Sequence, residues 1–316
     1  MPDPIADPKV SVVIPTYNAA GLIEAAIESV AVQTLRDLEV ILVDDASRDD
    51  TVARAEAALR RAGLRHQVLR LERNSGPAVA RNHGVVAARG TYVAFLDADD
   101  VWLPGKLAAQ ARILDEEPNV TLCGCQASWV GSDGRVVEPL FTGLPPRMPG
   151  GWKRLLWHCY VATPCVMVRR DDLGIRPFDP RLRVGEDRDL WIKLAHNGVV
   201  ALVPEELVRI RLSDSSFMAN NLDFVRTCTL PMVRRHLRIL SGELSFRQRC
   251  LARGSLYSQI GKQICKDRDR YVEGAAYLLG SVLFGYRPAD GLRELVFRAP
   301  LVRDFKAFVK RRYEAS

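Results

Sequence analysis

Through its first hundred residues the chain alternates short β-branched runs with amphipathic stretches, an order that few folds can accommodate. Val10 to Ile14, Leu38 to Val43, His66 to Leu71 and Thr91 to Leu96 read as strands; Gly21 to Gln33, Asp50 to Arg61 and Pro77 to Ala88 read as the helices between them. The strand runs are apolar almost throughout, as in a parallel sheet covered by helices on both faces. In open α/β sheets ligands bind beyond the carboxyl ends of the strands. Functional residues are therefore expected just after each strand. Those places hold Pro15-Thr16-Tyr17-Asn18, Asp44-Asp45-Ala46-Ser47, Glu72-Arg73-Asn74-Ser75-Gly76 and Asp97-Ala98-Asp99-Asp100.

Downstream the pattern is mixed. A helix begins near Pro104, a strand spans Val120 to Ala127, a hairpin turn falls at Gly131 to Gly134, and a Pro/Gly-rich loop from Pro139 to Gly151 is suited to covering a site. Val161 to Arg169 reads as another strand, and Glu186 to Asn197 as a helix stopped by Gly198. From about Asn220 only helical spacing remains, which divides the chain into an α/β domain over 1–219 and a helical region over 220–316. Charge divides it in the same way: residues 226–316 carry 19 Lys and Arg against 8 Asp and Glu, net +11, while the remainder is net −4. A basic tail on an acidic body points to an anionic partner such as a membrane surface, or to solvated helix faces. No nucleic acid is expected, because the tail has no interleaved aromatics and no known reader motif.

The longest low-charge stretch, Gly274 to Tyr286, is far short of the ~20 residues of a membrane span, and the first residues lack the pattern of a secretory signal. A cytoplasmic protein, in contact with the inner face of a membrane through its tail, is the expectation. Seven scattered cysteines are expected to be reduced, with Cys123 and Cys125 on one face of a strand as core residues.

In the cluster after strand four, Asp97 and Asp99 lie two residues apart on an extended segment and point to one side, so both can converge on a hard cation such as Mg2+ or Mn2+. Asp44 suits either a helix cap or the reading of a ribose or base, with Ser47 and Asp49-Asp50 the better caps. Arg73, Asn74 and Arg81 bring donors that match phosphate, or serve as surface ion-pair residues. Asp187, Trp191 and Leu194 share a helix face, which sets a carboxylate beside an aromatic platform for a sugar ring or, equally, beside a core Trp.

Taken in order, Val10-Ser11-Val12-Val13-Ile14-Pro15-Thr16-Tyr17-Asn18, Val40-Ile41-Leu42-Val43-Asp44-Asp45-Ala46-Ser47, Gly76-Pro77-Ala78-Val79-Ala80-Arg81-Asn82, Phe95-Leu96-Asp97-Ala98-Asp99-Asp100 and Gly185-Glu186-Asp187 through Leu190-Trp191 resemble the family 2 inverting glycosyltransferases of GT-A fold. The resemblance spans roughly residues 9 to 218. It implies nucleotide contacts from Pro15, Thr16, Tyr17, Asn18, Asp44, Asn74, Arg81, Asp97 and Ala98, a metal held by Asp99 and Asp97, Asp187 as general base, and Glu186 and Trp191 toward the acceptor. It further implies a UDP-, dTDP- or GDP-linked donor and a glycan, protein or lipid-linked acceptor. Two departures stand out. Ser213 occupies the place where relatives often carry a metal-binding histidine, and the Gln-x-x-Arg-Trp motif and membrane helices of polymer synthases are absent, which favours addition of a single sugar. A non-catalytic nucleotide-sugar or glycan-binding module on the same fold is the alternative. Pro15 to Gly21 lacks the GxGxxG of a nicotinamide-dependent dehydrogenase and the glycine-rich basic loop of a nucleotidyltransferase.

Overall fold

The computed structural model describes residues 7–212, 225–265, 270–287 and 289. Packing divides the chain into one unit of residues 1–155 and 159–219 and a second of 156–158 and 220–316.

The first unit is built on a ten-stranded sheet. Its opening half is β1 (Val10–Thr16), α1 (Ile23–Ala31), β2 (Leu38–Asp44), α2 (Thr51–Arg61), β3 (His66–Arg70), α3 (Pro77–Ala87) and β4 (Tyr92–Phe95). These strands lie parallel in the order β3-β2-β1-β4, with Thr16 beside Asp44 and Val13 beside Phe95, so their carboxyl ends share one edge. Every residue of β2 and β4 is buried, the consequence of helices on both faces. Where α3 crosses β1 the contact depends on Gly84, since a Cβ there would lie 2.3 Å from Val13 Cγ1.

The remaining elements are β5 (Val101–Trp102), α4 (Lys106–Glu116), β6 (Val120–Val130), β7 (Val136–Leu140), β8 (Arg147–Pro149), α5 (Trp152–Leu155), β9 (Met167–Arg169), α6 (Glu186–His196) and β10 (Val199–Arg211). They extend the sheet as β4-β9-β6-β10-β5, with β7 and β8 added to β6 and β10. β9 runs antiparallel between β4 and β6, whereas β6 and β10 are parallel to each other.

Two sequence expectations are corrected here. The segment expected as one strand from Val161 to Arg169 is a 3-10 turn, Thr163–Cys165, followed by the three-residue β9, because Pro164 cannot donate to a ladder. The loop expected from Pro139 to Gly151 is partly regular: it holds the end of β7, and β8 pairs antiparallel with β10 while Arg147 grips Glu117. Inside this half, Lys106 is fully buried with its Nζ 3.9 Å from the Trp102 ring centroid, and burial pulls its pKa down.

The described residues of the second unit form three long helices, α7 (Leu230–Ile239), α8 (Phe246–Ile264) and α9 (Tyr271–Leu283). Among the described residues no helix is long and apolar enough to cross a membrane.

Candidate active site

The shared strand edge carries the polar clusters, and local hydrogen bonds give each its shape. After β1, Asn18 adopts a left-handed backbone, φ 49°, and after β2 so does Ala46, φ 64°. For Ala46, with no polar side chain to compensate, this conformation costs ~1 to 2 kcal/mol. The two loops are stitched together: the Asn18 N–H donates to Ser47 Oγ at 2.9 Å, and the Arg48 N–H donates to Asn18 Oδ1 at 2.8 Å. Asp44 is buried and its carboxylate accepts the Ser47 N–H at 3.2 Å, so Asp44 itself braces this turn. Of the expected Asp49-Asp50 cap, Asp49 supplies the bond: its Oδ1 accepts the N–H of Thr51, the first residue of α2, at 3.1 Å, while Asp50 at the N-cap makes no side-chain capping bond. Thr16 is buried with a hydroxyl that has no partner among the described residues, and Tyr17 beside it is 45% exposed. Asn74 is exposed.

Asp45 has a different task. Its two oxygens accept the N–H groups of Ser75 and Gly76, at 2.8 and 2.7 Å, and so tie the end of β2 to the start of α3. One turn along α3, Arg81 is 5% exposed. Its Nη2 donates to Asp97 Oδ1 at 2.8 Å and its Nη1 to Glu186 Oε1 at 2.7 Å. The guanidinium also lies 5.6 Å from the Phe178 ring centroid, and Phe178 packs edge-on against Phe95 and Trp191. The neighbouring Asn82 clamps Phe178 by a reciprocal pair, Nδ2 to its carbonyl at 2.8 Å and its N–H to Oδ1 at 3.0 Å.

These contacts correct the acceptor-side expectation. Trp191 is 0% exposed and belongs to the Phe95–Phe178 cluster, so it offers no platform to a sugar; its position on α6 faces the sheet. Glu186 is likewise buried and committed to Arg81. Burial, and then the neighbouring Asp187 charge, push the Glu186 carboxyl up to about 7 in spite of Arg81.

Beyond β4, Asp97 and Asp99 are half-buried and Ala98 is buried between them. Burial and the Asp97 charge raise the pKa of Asp99. Asp100, to which the sequence reading assigned no role, is 4% exposed and accepts the Arg211 N–H at 2.9 Å, joining the cluster to the end of β10. Burial, Asp97 and Asp99 together drive its pKa well up. Three carboxylates in four residues thus face each other with one buried guanidinium among them, a field that favours a cation. Among the described residues no group of three or more His, Cys, Asp or Glu side chains is arranged to hold a metal. Ser213, where a third ligand was sought, lies outside the described residues.

Asp187 sits in the first turn of α6, which Gly185 opens with a left-handed φ of 82°. Its Oδ1 accepts the Arg188 N–H at 2.6 Å and its Oδ2 the Thr163 hydroxyl at 3.1 Å. Thr163, which no sequence signal singled out, stands on the 3-10 turn 24 residues upstream.

With this geometry in view, the comparison with known proteins is decisive. Residues 11–174 match the model of "Glycosyl transferase family 2". The chain belongs to that family. Its fold is that of the GT-A glycosyltransferases. It is similar to the putative teichuronic acid biosynthesis glycosyltransferase TuaG of Bacillus subtilis, 33% identical over 219 residues that cover 67% of this chain and 82% of TuaG. A glucosyltransferase of Escherichia coli, WfgD, described as acting on α-D-GlcNAc-diphosphoundecaprenol with UDP-Glc, is 29% identical over 67% of this chain and 80% of its own. The uncharacterized glycosyltransferase of Rickettsia felis is 32% identical over 218 residues, and the chain spans only 35% of that relative's length. Among solved structures, mannosyltransferase PcManGT from Pyrobaculum calidifontis, in complex with GDP-Man and Mn2+, superposes with TM-score 0.62 at 20% identity over 97% of this chain and 85% of that one. S. aureus TarS in complex with UDP gives 0.58 at 22% identity over 94% and 91%.

Within this family 2 domain, the structure brings Arg81, Asp97 and Glu186 into one buried cluster, with Asp187 next to Glu186 and Asp99 next to Asp97. Pro15, Thr16, Tyr17, Asn18 and Asp44 lie on the strand edge shared by β1 and β2.

Proposed function

We propose that the chain is a metal-dependent, inverting glycosyltransferase that moves one sugar from a nucleotide-sugar donor to a hydroxyl of a glycan, protein or lipid-linked acceptor. The observation that carries the reading is the buried bridge Asp97–Arg81–Glu186. One guanidinium, fixed on α3, joins the carboxylate turn after β4 to the helix that presents Asp187. Donor-side and acceptor-side groups are thereby held in one arrangement before substrate arrives, the condition under which orientation is worth ~7 to 11 kcal/mol of a barrier.

The donor's nucleoside lies along the β1 and β2 edge. Asp44 supplies a buried carboxylate for hydroxyl or ring N–H groups, Thr16 a hydroxyl with no other partner, and Tyr17 a half-exposed ring. Asp99 and Asp97 suit a Mg2+ or Mn2+ ion because both present hard oxygen donors and the pair lies amid mutual repulsion. Asp99 and Asp97 would hold such a cation, which would supply charge neutralisation for the leaving diphosphate. Asp187 accepts the proton of the attacking acceptor hydroxyl while Thr163 and the Arg188 N–H hold its two oxygens in place. The acceptor oxygen bonds to the anomeric carbon from the face opposite the diphosphate, the bond to the diphosphate breaks, and configuration inverts. The basic second unit suits work at the cytoplasmic face of a membrane.

A thermal-shift panel of UDP, dTDP, GDP and CMP sugars, each with and without Mn2+, tests the donor half of this reading. One base is expected to raise Tm only with metal present. Equal response to all four, or none with or without metal, contradicts it.

A further inference from the structure

A cavity among the described residues of the second unit has no part in the site above. It is a groove of about 730 Å³ between α7 and α8, lined also by Phe284. Single-molecule sites commonly have this size. Its floor is apolar, with Leu237 and Leu256 buried beneath it. Its rim is cationic: Arg234 and Arg238 project from α7, and Arg249 and Arg253 from α8.

Each arginine pair is spaced i, i+4 along its helix, the arrangement in which like charges repel by ~0.2 to 0.5 kcal/mol. The twelve lining residues include no carboxylate. Arg249 bonds only to the Ser241 carbonyl, at 3.3 Å, and Arg234, Arg238 and Arg253 form no ion pair among the described residues. Among the described residues nothing offsets this repulsion, and an anion in the groove would relieve it. Guanidinium groups match phosphate oxygens with paired N–H donors.

An apolar group is called for as well. Phe246 lines the groove while 76% exposed, although the helix start that bears it is fixed by a full capping box: Ser245 Oγ accepts the Gln248 N–H at 3.2 Å, and Gln248 Oε1 accepts the Ser245 N–H at 2.9 Å. A large ring held in water on a capped helix marks a contact surface and not a frayed end. A flat bilayer surface suits a helix face better than a concave groove.

We propose that this groove binds the phosphate or diphosphate head, and the first apolar stretch, of a single lipid-linked molecule, with the four arginines on the head and Phe246, Leu237 and Phe284 along the chain. The inference rests on the transferase reading for its purpose, as the lipid would carry the acceptor sugar; binding itself is measured without transfer. Titration of the full chain, in chelator, with farnesyl diphosphate, farnesol and inorganic diphosphate tests it. Farnesyl diphosphate should bind at least tenfold more tightly than either fragment and should protect Cys250, which lines the groove, from alkylation by N-ethylmaleimide. The double variant Arg238→Gln with Arg253→Gln should weaken that binding at least tenfold, and its unchanged response to nucleotide plus Mn2+ reports an intact first unit. Unchanged binding in the double variant overturns the proposal. Inorganic diphosphate binding as tightly as farnesyl diphosphate overturns it in favour of a free-phosphate site, and binding to phosphatidylglycerol vesicles alone in favour of a membrane face. Lipid binding without any nucleotide response would retain the groove and remove the transferase reading.

Discussion

Replacing Arg81 by Met removes the one cation that Asp97 and Glu186 share, and the cost should depend on pH in a definite direction. Asp97 is half-buried and can turn to water, whereas the Glu186 carboxyl has no such route. Its pKa in the folded protein is already about 7 against 4.5 for a free side chain, because burial and Asp187 outweigh the pull of Arg81. Folded protein therefore binds more protons than unfolded protein between pH 4.5 and 7, and stability falls as pH rises through that window, by on the order of 3 kcal/mol for this group. Without Arg81 the carboxyl moves higher still, so the variant holds its proton at pH 5.5 as the parent does, and near pH 8 it pays the penalty of an unpaired buried charge. The loss at pH 5.5 should be ~1 to 2 kcal/mol, from hydrogen bonds and packing. At pH 8 it should approach the ~3 to 5 kcal/mol of a broken buried ion pair. Urea denaturation of both proteins at the two pH values measures the difference. A loss that is the same at both, or larger at pH 5.5, refutes the assigned partnership of Glu186.

Further expectations follow from single contacts. Trp191→Ala should cost ~3 to 5 kcal/mol of stability by opening the Phe95–Phe178 cluster, and a Trp191→Phe variant that folds should keep the acceptor KM; a selective rise in acceptor KM would return the ring to the site. Asp45→Ala leaves the Ser75 and Gly76 N–H groups without their acceptor and should lower stability by ~1 to 3 kcal/mol, read by chemical denaturation, whereas a neutral effect would mean that the start of α3 is held elsewhere.

Much of the first half was legible in the residues because local and global signals agree there. Continuous apolar runs between helical stretches specify buried parallel strands, and the observed boundaries of β1 to β4 fall within two residues of those read from periodicity. Where tertiary pairing decides, periodicity is silent: β5 has two residues and β8 three, and each exists because β10 offers it an edge. The same division holds for the candidate site. The carboxylates after β4 and on α6 are visible as spacing, but Asp187 and Trp191 share a helix face on paper while burial separates them, since a helix wheel shows which residues align and not which side meets a sheet. Arg81 was readable as a phosphate ligand; its commitment to Asp97 and Glu186 depends on a contact across 105 positions of sequence. Thr163 and Asn82 bond to partners 24 and 96 residues away, and no local pattern announces them.

The central claim, that Asp187 takes the acceptor proton while the groups at β4 and the β1–β2 edge hold the donor, is tested most directly by Asp187→Asn. Asn preserves the shape: its Oδ1 can still accept the Arg188 N–H, and its Nδ2 can donate to the Thr163 hydroxyl oxygen in place of the bond Asp187 accepts there, so the fold and donor site should be undisturbed. The account predicts nucleotide-sugar binding with metal within about twofold of the parent and transfer reduced by at least the ~10² that a general base contributes. Parental turnover in that variant, with donor binding intact, would contradict it.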